Sequence, residues 1–160
     1  MHSAWMHRGT VLLVVLGMAV LGGIVRAQTG PLMVAPTDVK WVDGPPTLSP
    51  GVKMAVIHGD PSKAGLYAIQ LKFPADFKVM PHAHPIDEHY TVLSGTVYFG
   101  IGEKFEPEKT KALPAGSVGV APAQTPHFAW TKEETVIHAY GIGPTGLTYV
   151  NPADDPRKKK

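Results

Sequence analysis

Cysteine is absent from this 160-residue chain. That excludes disulfides, thiolate metal sites and cysteine nucleophiles. Charge is sparse as well: charged residues make up 18% and the net charge is only +2 at pH 7. The most basic run, Arg157-Lys158-Lys159-Lys160, stands at the extreme end and reads as a solvated tail, residues 151–160. With no basic stripe interleaved with aromatics, nucleic acid is not an expected partner. Long helical patterns are missing because 17 glycines and 16 prolines punctuate the chain at close spacing, which argues for an all-β domain rich in turns. No internal repeat or low-complexity segment occurs. A serine hydrolase finds no support, since Ser94 and Ser117 lie in turn-like contexts without a base.

The first residues have another character. His7 and Arg8 are followed by an uncharged, Val/Leu-rich run from Thr10 to Val25, and Val25-Arg26-Ala27 offers small residues for cleavage. This pattern predicts a secretory signal peptide over residues 1–27, cut before Gln28. The alternative is a retained membrane anchor, because the run is nearly long enough to span a bilayer. Export without disulfides suits a bacterial periplasm or the extracellular medium, so the expected location is periplasmic or secreted, with no membrane contact after cleavage. Residues 28–50 carry Pro31, Pro36, Pro45, Pro46 and Pro50 and predict an extended arm around a short strand Asp38–Val42.

The barrel proper is expected over residues 51–150. Strand candidates are Val52–His58, Leu66–Phe73, Phe77–His84, Glu88–Ser94, Thr96–Ile101, Ser117–Ala121, His127–Thr131, Thr135–Ile142 and Leu147–Val150. In Leu66–Phe73, Tyr67, Ile69, Leu71 and Phe73 alternate with Ala68, Gln70 and Lys72, the mark of a half-buried strand. Glu103–Lys111 is charged and predicts a loop with a helical turn.

Most informative are His82, His84, Glu88 and His127. Two histidines at i and i+2 on an extended strand face the same way. Glu88 opens the next strand after a short turn, and His127 arrives from a distant one. Three neutral imidazoles and a carboxylate make a mixed N/O set for one divalent transition metal per chain. Parity places Tyr90 and Val92 on the face of Glu88 and turns His89, Thr91 and Leu93 away. The same rule sets Met80 beside His82 and His84, and Ala129 beside His127. His138 shares a face with Val136 and Tyr140 and is either a core histidine or an acid/base near the pocket. Phe99, Phe128 and Trp130 read as core or subunit-interface packing.

At these residues the sequence resembles the cupin superfamily. Its first motif, HxH, then Glu, then Gly, is matched by His82, His84, Glu88 and Gly95; Gly116, Pro122 and His127 match the second. Gln124 stands where the family usually has Gly, and Thr131 where it has Asn. The resemblance covers roughly Leu66 to Gly143 and implies a single-domain jelly-roll β-barrel holding one metal. It implies no single reaction, since family members oxidise, decarboxylate, isomerise or only bind ligands. In some cupins the equivalent glutamate leaves the metal to move protons, which makes Glu88 the candidate general base. Tyr90 and His138 complete the catalytic candidates.

The expectation is therefore an exported metal-dependent oxidoreductase, dioxygenase- or oxidase-like, acting on a small oxygen-rich or aromatic molecule. The alternative is a non-catalytic module that binds or senses a small molecule through its metal. A sugar isomerase lacks a supporting acid/base pair. Outside the cytoplasm an N/O site meets copper and zinc in competition, so the expected order is Cu, then Zn, Fe, Mn and Ni. Outward-facing Leu93 and Thr91 leave sheet surface to cover, and a homodimer is expected.

Overall fold

The computed structural model describes residues 31–158. The expected signal peptide and its cleavage point lie outside the described residues. Among those described, no helix is long and apolar enough to cross a membrane.

Two antiparallel sheets face each other. The first contains β1 (Val42–Asp43), β2 (Lys53–His58), β3 (Gly65–Phe73), β5 (Glu88–Ser94), β8 (Val118–Ala121) and β10 (Thr135–Gly143), in the order β1-β2-β3-β10-β5-β8. The second contains β4 (Lys78–Ala83), β6 (Thr96–Ile101), β7 (Lys111–Pro114), β9 (His127–Thr131) and β11 (Thr148–Tyr149), in the order β11-β4-β9-β6-β7. Consecutive strands repeatedly cross from one sheet to the other, as a jelly roll requires. The alternation seen in β3 is realised: Tyr67, Ile69, Leu71 and Phe73 are buried. They meet Val79 and Val97 of the second sheet, with Tyr90, Val92 and Ile137 beside them, in one core.

Three segments differ from expectation. The arm forms a 3-10 turn at Pro36–Asp38 where a strand from Asp38 was expected, and pairing begins only at Val42. Pro36 fixes a turn-forming φ and donates nothing to a ladder. The charged stretch does contain a turn, Pro107–Lys109, but it leads into β7, which the sequence reading missed. β7 is an edge strand ending in Pro114, a place where a missing N–H does no harm. The C-terminal segment is not a simple solvated tail. It makes two further 3-10 turns, and buried Asp155 receives Arg157 through Nε at 2.8 Å and Nη2 at 2.7 Å.

Gly95 shows why the first motif ends in glycine. It is the only residue between β5 and β6, and its φ of +70° lies in the left-handed region. A Cβ there would stand 2.6 Å from the carbonyl oxygen of Glu134. Gly95→Ala combines that backbone clash with a left-handed penalty of ~1–2 kcal/mol, so we expect a loss of roughly 2–4 kcal/mol. Urea unfolding measures it, and a loss below about 1 kcal/mol would show that the turn relaxes freely.

Candidate metal centre

His82 and His84 owe their direction to a β-bulge. Along β4 and β9 the register runs Val79↔Ala129 and then His82↔His127, three steps on one strand against two on the other. The extra residue lies at Met80–Pro81, where Pro81 has no N–H to pair. The bulge turns Val79 and His82 to the same side, so Val79 rather than the expected Met80 lines the cavity. His84 follows two residues later, just beyond the strand, and His127 opens β9.

The three rings converge. Their centroids lie 4.3 Å (His82–His127), 5.0 Å (His82–His84) and 5.2 Å (His84–His127) apart. One ligand nitrogen from each falls within a group spanning at most 4.8 Å, and all three residues are buried. Each Nδ1 faces a backbone carbonyl: His82 that of Met80 at 2.8 Å, His84 that of Gly146 at 2.7 Å, His127 that of Thr125 at 2.9 Å. A carbonyl only accepts, so each Nδ1 carries the proton and each Nε2 keeps its lone pair. Carbonyl partners of this kind orient metal-ligating histidines.

Electrostatics agree with three neutral rings. Burial, then His127 and His84, hold His82 well below the ordinary histidine value. Burial takes His127 down to about 4, against the Thr125 carbonyl, with His84 adding to the lowering. The Nε2 of His84 is buried without a hydrogen-bond partner, which costs ~1–3 kcal/mol unless something fills the gap. Converging lone pairs around an orphaned acceptor fit a divalent cation. Cysteine-free N/O donors suit Cu, Zn, Fe, Mn or Ni.

Glu88, at the start of β5, stands beside the three-histidine group and is not part of it. Its Oε2 stands 3.4 Å from His84 Nε2, so it touches the triad on the His84 side. Burial raises its carboxyl above the usual value, with His84 pulling the other way. Tyr90 faces the same interior, and burial followed by Glu88 pushes its phenol up to about 12. Its ring packs over Gly119 of β8, where any side chain would collide with it.

The structure corrects the placement of His138. It does share a face with Val136 and Tyr140, but that face is the outer one. Thr135, Ile137 and Ala139 point inward, while His138 is only partly buried and its ring lies 5.8 Å from Tyr140. His138 is therefore not part of this site. His89 is outward as expected, stacked on Tyr140 at 5.3 Å. Leu93 is exposed too.

The cavity beside the histidines has a volume of about 80 Å³. Several of its walls were not anticipated. Phe99 stacks on His127 at 5.1 Å and 21°. Leu48 comes from the arm and Leu147 from the loop before β11. Phe99 was expected as plain packing, and only its inward parity on β6 could have hinted otherwise. Nothing local marks Leu48 or Leu147.

Both motif departures are accommodated by backbone contacts. Gln124 takes a φ of +59°, the left-handed conformation glycine favours, and its N–H donates to the His84 carbonyl at 2.8 Å. Thr131 is buried; its hydroxyl donates to Pro74 O at 2.8 Å and accepts from Phe77 N at 3.3 Å, closing the β3–β4 turn.

Comparison with known proteins gives a consistent picture. The family model of the ChrR Cupin-like domain matches residues 29–145. Among solved structures, KdgF from Halomonas sp. aligns with a TM-score of 0.55 and 24% identity, over 72% of this chain and 96% of that one. The polyketide cyclase RemF from Streptomyces resistomycificus aligns with a TM-score of 0.61 and 18% identity, over 79% and 89%. A salicylate 1,2-dioxygenase variant from Pseudoaminobacter salicylatoxidans aligns with a TM-score of 0.51 and 14% identity, over 64% of this chain and 31% of that one. At these identities the likeness is one of fold. No curated protein matches the chain.

Proposed function

We propose that this chain, which belongs to the ChrR cupin-like family, holds one divalent transition metal on His82, His84, His127 and Glu88 and acts with it as an oxidoreductase on a small oxygen-rich molecule. The observation that carries the reading is the convergence of three Nε2 lone pairs, each with its tautomer set by a backbone carbonyl. Bound there, a metal would supply Lewis-acid and redox chemistry to a small molecule. The histidines hold and orient. Glu88, beside His84, takes or returns a proton at the bound molecule. Tyr90 stays a neutral phenol in the wall, and the apolar remainder of the cavity excludes water.

Cavity size narrows the substrate. A cavity of ~150 Å³ holds a benzene ring, and this one has about 80 Å³. A molecule of a few heavy atoms is therefore favoured over the aromatic class. The same small cavity favours a second reading, a non-catalytic module in which the metal binds one small ligand. We further propose export, a periplasmic or secreted location, copper before zinc as the native occupant, and a homodimer.

Elemental analysis of protein recovered from the periplasm, followed by oxygen uptake with Cu-, Fe- and Mn-loaded protein against short hydroxy acids, diketones and diols, tests the reading. We expect stoichiometric metal and uptake with at least one small substrate. Zinc alone, with no uptake in any reconstituted form, would favour the binding module.

A further inference from the structure

The basic run that closes the chain does not start free in solvent. Val150 N–H donates to the Pro81 carbonyl at 2.9 Å, beside the bulge that aims His82. The Tyr149 hydroxyl donates to the Thr47 carbonyl of the arm at 2.8 Å. Two 3-10 turns then bring Arg157 back against this segment. It lines a groove of about 400 Å³ there, with Thr47, Gln124, Thr148, Tyr149 and Val150.

This groove lies against the metal cavity. His84 and Leu147 line both spaces. Tyr149, on the groove side, has its ring 6.1 Å from that of His82. Leu147 is half-buried and packs on the core, so its side chain is the partition between them. The two spaces differ in charge. The inner one contains a carboxyl, that of Glu88. The groove has no acidic side chain in its lining, and Arg157 is its one permanent charge.

Asp155 clamps that guanidinium on one edge only. It accepts from Nε at 2.8 Å and from Nη2 at 2.7 Å, and its Oδ1 also accepts from the Arg157 N–H at 3.0 Å. Asp155 is buried, whereas the Arg157 side chain is 47% exposed. Guanidinium has five N–H donors in a rigid fork, so the others remain available. A fork already fixed along one edge loses little freedom when the other edge takes a carboxylate, the partner its geometry suits.

We propose that the groove is an anion-binding vestibule of the metal cavity: the free donors of Arg157 hold the carboxylate of a short organic acid, and its other end passes Leu147 towards His84. The proposal rests on the metal reading above and narrows its substrates to acids. The small inner volume then bounds only the end that enters.

Lactate and its uncharged twin lactamide are the probes, titrated into isotope-labelled, metal-free protein. Lactate should shift the backbone amides of Gln124, Gly146 and Thr148 saturably, and lactamide should not. Arg157→Gln should weaken lactate about tenfold or more, the size of a lost charge-assisted hydrogen bond. The double Asp155→Asn/Arg157→Gln, which orphans no buried carboxylate, should lose it equally. Lys158→Gln removes only a solvated charge and should stay within about twofold of the wild type. In cobalt(II)-loaded protein lactate should move the visible band, and Leu147→Ala should speed that change several-fold. Equal binding of lactate and lactamide, or an affinity unchanged in the Arg157 variants, overturns the anion site. A cobalt band unmoved by lactate in both wild type and Leu147→Ala overturns the link to the cavity. A wild type that takes up no cobalt would defeat the metal reading, while the metal-free titration still decides the groove.

Discussion

His84→Ala should abolish stoichiometric metal binding, and His89→Ala should leave it nearly intact. The two histidines are five residues apart in sequence but differ in every physical respect that matters. His84 presents an unpaired Nε2 to the triad, and its Nδ1 is fixed on the Gly146 carbonyl at 2.7 Å. Removing an outer partner of a ligand costs ~10–100-fold in affinity, so removing a ligand itself costs more. His89 stands on the other face of β5, stacked on Tyr140 with no path to the cavity. Elemental analysis of both variants, with circular dichroism to confirm folding, reads the outcome. Full metal retention in His84→Ala would remove that residue from the ligand set; full loss in His89→Ala would overturn the inward and outward assignment of β5.

Stripped of metal, the protein should lose stability steeply in mild acid. His127 is depressed from 6.5 in the unfolded chain to about 4 in the fold, so between those values the unfolded state binds the extra proton. Stability therefore rises with pH across this window and is complete above about 6.5. At ~1.4 kcal/mol per unit, the His127 contribution is of order 3 kcal/mol. His82 shifts in the same direction and adds to it. Glu88 acts in the opposite sense, since a raised carboxyl contributes stability that is full below its unfolded value and is lost as pH rises from there through its folded one. Comparing wild type with His127→Gln isolates the His127 part. Urea midpoints of chelator-treated protein at pH 4, 5, 6 and 7 should fall towards acid more steeply in the wild type. Parallel curves would mean that His127 titrates normally in the fold. Metal should raise the wild-type curve and steepen its fall towards acid, because metal-bound Nε2 atoms take up no proton in the fold while the unfolded chain still does.

Much of the architecture was legible locally. Strands β5, β6 and β9 begin and end where the Val-, Tyr- and Thr-rich runs do, because β-branched and aromatic residues between turn formers have few other options. The edge strand β7 was not legible: Lys-Ala-Leu-Pro is too short and too ordinary to signal pairing, and only its partner β6 makes it a strand. His138 illustrates a different limit. Its companions on β10 followed from alternation, but which of the two faces is inner depends on the opposing sheet.

By itself, then, the sequence determined what a period of two and a local turn can carry: the buried row of β3, the shared face of His82 and His84, the inward run Glu88–Tyr90–Val92, the glycine at position 95, and the likeness to cupins. Tertiary structure alone decided what depends on pairing between distant segments. The bulge at Met80–Pro81 exists only relative to β9, and it replaces Met80 by Val79 in the cavity wall. Leu48 and Leu147 reach the cavity wall from opposite ends of the chain. Alternation along a strand is a property of its own backbone, whereas register is settled by which whole set of contacts buries the most apolar surface without orphaning polar groups.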